Sequence, residues 1–160
     1  MSDSSFIPAS NPSYAKVTYQ DIAGNLNKTE KTDHIVLASS RFLTNITLGD
    51  FIKAFRDFQE TYKHDSSDYI DPIKLTETVT KLIDIKCPGA SVMDKLNVLV
   101  TCGSTVKIEK GPNFWLGHLI DFCIGISLLT RMGGDITKNE GFPAIQEMWA
   151  NFVRSLPGPE

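Results

Sequence analysis

His118 and Asp121 are the residues whose types and spacing come nearest to chemistry. They stand three apart, so on a helix they share a face and could form a hydrogen-bonded acid/base pair. Trp115, one turn before His118, would line a pocket around them. Cys123 lies five residues beyond His118 and points elsewhere, so a Cys/His nucleophile would need a second imidazole from His34 or His64. Nothing local brings one. The plainer reading of the pair is a mutually satisfied polar contact within a buried helix, and no catalytic residue is assigned. Metal binding needs several convergent ligands, and three histidines without paired spacing give no such set. Asp65, Asp68 and Asp71 are spaced three apart, yet they lack the central glycine and distal glutamate of a calcium loop and read as turn and cap residues. Gly103-Ser104 and Gly133-Gly134 are isolated turns with no Lys-Ser/Thr step after them. No phosphate cradle, and hence no cofactor, is expected.

The element that must carry His118 and Asp121 runs from Asn113 to Met132. Phe114, Trp115, Leu116, Leu119, Ile120, Phe122, Cys123, Ile124, Ile126, Leu128, Leu129 and Met132 leave it almost no polar face. A helix apolar nearly all round is a buried helix. Its uncharged run between Asp121 and Arg131 is nine residues, too short to cross a bilayer. We therefore expect a mainly α-helical fold of about five helices around this central one, with a minor β element in the N-terminal third. Gly117 and Gly125, placed on one side, should let a neighbouring backbone approach.

Around that helix the chain divides into an N-terminal arm, residues 1–14, and one helical domain, residues 15–157. Ala15 to Ile22 and His34 to Ala38 are rich in Val, Ile, Tyr and Thr and read as two short strands. Phe51, Phe55, Phe58 and Tyr62 fall on a single face of a helix from Leu48 to Lys63, with Thr47 and Asp50 in a capping-box pattern. Asp71-Pro72 opens a second helix that Pro88-Gly89 stops, with Leu75, Val79, Leu82 and Ile83 inward. Ser91 and Asp94 suggest another cap, and Val92, Leu96, Leu99 and Val100 give a helical face ending near Gly103. A short strand from Thr105 to Glu109 follows, its rival being a hairpin of NVLVTC and TVKIEK. After the central helix, Gly133-Gly134 ends the turn. Phe142-Pro143 then opens a last helix with Ile145, Met148, Trp149, Phe152 and Leu156 on a narrow apolar face.

A chain of 160 residues that is 41% hydrophobic can build one sizeable core. Sixteen basic and nineteen acidic residues are scattered without runs, so charge announces no nucleic-acid or anionic-membrane surface. A basic groove assembled by folding would escape such a count. Cys87, Cys102 and Cys123 are odd in number, lack metal-ligand spacing and sit in apolar segments, which reads as reduced core thiols. The N-terminus shows no basic and apolar regions of a signal peptide, so a cytoplasmic location is expected. The sequons at Asn27 and Asn45 would then be chance.

Ile126 to Trp149 resembles the close of rod-shaped plant virus coat proteins, which end in a long apolar helix, a basic residue before a phenylalanine, and a tryptophan beyond. Lys138, Phe142 and Trp149 stand in those places. Spacing differs by about one residue at both steps, Pro143 replaces an acidic residue, and the arginine-aspartate stretch expected before the helix is absent from IEKGPNF. The resemblance implies a self-assembling structural protein, and elimination points the same way, to a non-catalytic interaction or self-assembly subunit. Phe6 and Ile7 of the arm, with Phe142 and Trp149, are the expected interface. The rival expectation is a small-molecule binder or enzyme using His118, Asp121 and Trp115.

Overall fold

The computed structural model describes residues 35–39, 45–62, 71–109 and 114–156. Strands β1 (Val36–Ser39) and β2 (Asn45–Thr47) are followed by helices α1 (Leu48–Tyr62), α2 (Pro72–Lys86), α3 (Val92–Glu109), α4 (Phe114–Met132) and α5 (Phe142–Ser155), with a 3-10 turn at Ile136–Lys138 before α5. The two strands pair antiparallel, Ala38 opposite Ile46, and the register shifts between Val36 and Ala38. That shift lets the successive residues Leu37 and Ala38 both face inward.

Local chemistry explains most helix ends. Thr47 and Asp50 close a reciprocal capping box: the Thr47 amide donates to Asp50 Oδ2 at 2.8 Å, and the Asp50 amide to Thr47 Oγ1 at 3.2 Å. The Asp71 carboxylate accepts from the Ile73 amide at 2.8 Å, with Pro72 in the first turn of α2. Ser91 Oγ accepts from the Asp94 amide at 3.1 Å. α4 stops where Gly133 and Gly134 take φ of 83° and 76°, a backbone region closed to most side chains.

α4 is the central helix. α3 and α5 make the most extensive contacts with it and α2 adds more, so Leu119, Ile120, Phe122 and Cys123 are fully buried. Its length and composition would suffice for a membrane span, but 56% of it is buried inside the protein, as a core helix requires. Aromatic rings run through the core from Phe51 and Phe55 on α1, to Trp115 on α4, and on to Phe152 and Trp149 of α5. Successive centroids lie 5.0–6.3 Å apart, within the range of favourable tilted pairs. Both strands and all five helices contribute to one buried cluster.

Three expectations need correction. The segment Thr105 to Glu109 is neither strand nor hairpin, because α3 continues through Glu109. Leu96, Leu99, Cys102, Gly103 and Val106 line its buried side, and covering α4 along its length outweighs the strand preference of Thr105 and Val106. Val92 and Val100 face outward, about half exposed. Gly117 and Gly125 do not admit one neighbouring backbone: the Gly103 carbonyl of α3 comes within 3.4 Å of a Cβ on Gly117, beside the Lys107 stem, whereas the space at Gly125 is filled by the Ile145 and Met148 side chains of α5. The partner of β1 is Asn45–Thr47, within the second sequon. Ala15 to Ile22, Phe6, Ile7, Asp65, Asp68 and Pro157 lie outside the described residues.

Candidate functional site

At the α3–α4 crossing the backbones are close because both helices carry glycine there. A Cβ on Gly103 would lie 3.2 Å from Ile120 Cγ2, and one on Gly117 would lie 2.6 Å from Lys107 Cγ. The Lys107 stem thus passes over Gly117, and its ammonium pairs with the Asp121 carboxylate. Lys107 is the partner that sequence spacing did not reveal. The segments GSTVK and GHLID each place a charge four residues after a glycine, and that matched spacing was the available signal. His118 instead sets its ring edge-on to Phe114, with centroids 4.9 Å apart. Desolvation holds the imidazole below its ordinary pKa; nearby Lys107 and Arg154 add to the effect, and Asp121 opposes it. His118 is therefore neutral at pH 7, and the Asp121 charge is directed at an ammonium. Trp115 is 2% exposed and sits between Phe55 and Phe152. Its indole N–H and that of Trp149 are buried without a hydrogen-bond partner.

Phe142 and Trp149 both face the core, Trp149 being fully buried. As an interface they would require α5 to leave α4. All three cysteines are buried, and among the described residues none is joined to another by a disulfide. Burial pushes Cys102 up to about 12, with Cys87 and Asp50 adding to it, and pushes Cys123 up to about 12 against a weaker hydrogen bond from Thr76. Nucleophilic sulfur needs the thiolate, which neither site supplies near neutral pH. Among the described residues no group of three His, Cys, Asp or Glu side chains could hold a metal ion.

Two surface features remain. A groove of about 620 Å³ lies between α1 and α2, floored by Ala54, Phe58, Leu82 and Ile85. Lys53 pairs with Asp57 and Lys86 with Asp50, each at 3.2 Å, and Lys74 stands 4.8 Å over the Tyr62 ring. Four lysines and three carboxylates line the groove, so the charges nearly cancel. A nucleic-acid backbone would need a more positive track.

The second feature is the outer face of α3. Its exposed described residues are Val92, Met93, Asn97, Val100, Thr101, Ser104 and Ile108, none of them charged. Met93 and Ile108 are 58% and 77% exposed. The Thr101 hydroxyl already donates to the Asn97 carbonyl at 3.0 Å, which removes a donor from this face. By contrast the exposed positions of α1 include Lys53, Arg56, Asp57 and Glu60, and those of α2 include Glu77, Lys81 and Asp84. The run from Leu96 to Val106 contains no charge, a signal the strand reading obscured.

The chain matches no protein-family model, no curated protein and no solved structure.

Proposed function

We propose that this chain is a non-catalytic protein-interaction subunit that self-associates. The observation carrying this reading is the uncharged outer face of α3, on a protein whose α1 and α2 turn charged faces outward. Val92, Met93, Val100 and Ile108 alternate there with Asn97, Thr101 and Ser104, and a partner can cover such a face without desolvating an ion. A structural protein of the virus coat type is the particular form suggested by the resemblance of residues 126–149. A reducing, cytoplasmic setting suits three buried cysteines that form no disulfide with one another.

Size-exclusion chromatography with light scattering, run across protein concentration and at low and high salt, tests this directly. The expected result is a mass that rises with concentration and persists in high salt, because the face is uncharged. A strict monomer throughout would overturn the proposal. The α1–α2 groove favours a second reading, a small-molecule binder. In that case a strict monomer would be stabilised by an amphiphilic aromatic ligand, and Leu82→Arg would abolish the stabilisation.

A further inference from the structure

The outer face of α3 carries more than an absence of charge. With 3.6 residues per turn, Met93, Asn97, Val100, Thr101, Ser104 and Ile108 fall within an arc of about 100°, forming one stripe along the helix. The stripe is also symmetric about its midpoint between Val100 and Thr101. Reversing the helix end for end places Met93 on Ile108, Asn97 on Ser104, and Val100 on Thr101. Large apolar side chains lie at both ends, short polar ones inside them, and two β-branched residues of nearly equal size at the centre.

We infer that a second copy of this chain covers the stripe, α3 packing antiparallel on α3 about a two-fold axis between Val100 and Thr101. The inference rests on the self-association reading and specifies its contact. An isologous interface requires a patch that complements itself under a two-fold rotation, and the order of side chains here meets that condition. Met93 of one copy covers Ile108 of the other at each end. Asn97 faces Ser104, where an amide can hydrogen-bond a hydroxyl. The small central residues let the helix axes come within the usual 8–10 Å. The stripe itself carries no ammonium or carboxylate, and Asp94 and Lys107 border it, about 20° beyond Thr101 and Val100.

The area sets the strength. From Met93 to Ile108 the stripe is about 22 Å long and one helix diameter, about 10 Å, wide, hence roughly 220 Å² per copy. A stable interface buries about 800 Å² per partner. The helix pair is therefore the centre of a weak, concentration-dependent contact.

Charge exchange tests the geometry. Met93→Glu alone, or Ile108→Lys alone, should weaken self-association by about tenfold or more in sedimentation equilibrium. Both changes in one chain should restore it, because the new carboxylate and ammonium then oppose each other on either side of the axis. A parallel pair would set like against like and would not recover. An equimolar mixture of Met93→Cys and Ile108→Cys chains should cross-link through a short bis-maleimide, whereas either chain alone should not. Circular dichroism and melting check that these exposed substitutions leave the fold intact. Association that persists unchanged in both single variants, or no recovery in the double variant, overturns this pairing while leaving self-association standing. A strict monomer at every concentration overturns both.

Discussion

Leu119 and Leu128 make a controlled pair for testing the central helix. They are nine residues apart on α4, and at 100° per residue that places them on opposite faces. Leu119 is fully buried and Leu128 is 46% exposed. Replacing either with alanine changes helix propensity by the same small amount, so any difference reports packing alone. At Leu119 the lost transfer free energy and the cavity should together cost about 2–5 kcal/mol. At Leu128 full burial would contribute about 1.5–3 kcal/mol, and with half the side chain in water roughly 1 kcal/mol is at stake. Urea unfolding followed by circular dichroism should show a midpoint that falls far more for Leu119→Ala, with an unchanged slope. Equal losses, or a larger loss at Leu128, would refute the orientation of α4.

Gly125→Ala should destabilise by up to about 2 kcal/mol, the clash with Ile145 exceeding the helix-propensity gain. Adding Ile145→Val, which removes the struck methyl, should recover part of that loss; strict additivity in the double-mutant cycle would count against the contact. At pH 8 a maleimide should leave Cys102 and Cys123 unlabelled until denaturant is added, since thiols pushed up to about 12 are thiolate in only about one part in ten thousand. Stoichiometric native labelling would contradict their burial. The His118 pKa, read by NMR, should rise in Lys107→Met, because an ammonium that disfavours imidazolium is removed and Asp121 is left facing it; a fall would contradict the arrangement. Since the folded His118 pKa lies below its unfolded value, its contribution to stability is present above about pH 6.5 and is lost as pH falls toward the lowered folded value. His118→Gln should therefore flatten the wild-type decline between pH 7 and 5, by a small amount for a partly exposed ring.

The central helix, the caps at Thr47, Asp71 and Ser91, and the stop at Gly133-Gly134 were legible because each depends on residues within one turn of another. α3 was misread beyond Gly103 because its Thr and Val content favours a strand, and only burial against α4 holds it helical. The same non-locality hid the Lys107–Asp121 pair: the three-residue spacing of His118 and Asp121 gives a shared face, but an ammonium from the neighbouring helix takes the carboxylate. Phe142 and Trp149 lie on a narrow stripe that sequence alone could assign to a partner or to the core. The structure gives that stripe to α4.

The aromatic series joining α1, α4 and α5 bears on how the chain folds. Phe51 and Phe152 belong to one set of tilted rings although about a hundred residues separate them, so the set cannot close until α5 is in place. Until α5 docks, α4 has no partner for the flank that Ile145, Trp149 and Phe152 cover. Helix formation takes microseconds or less, so α4 can form before that docking. A chain in that state holds its most apolar helix half clothed, open to contact with another copy.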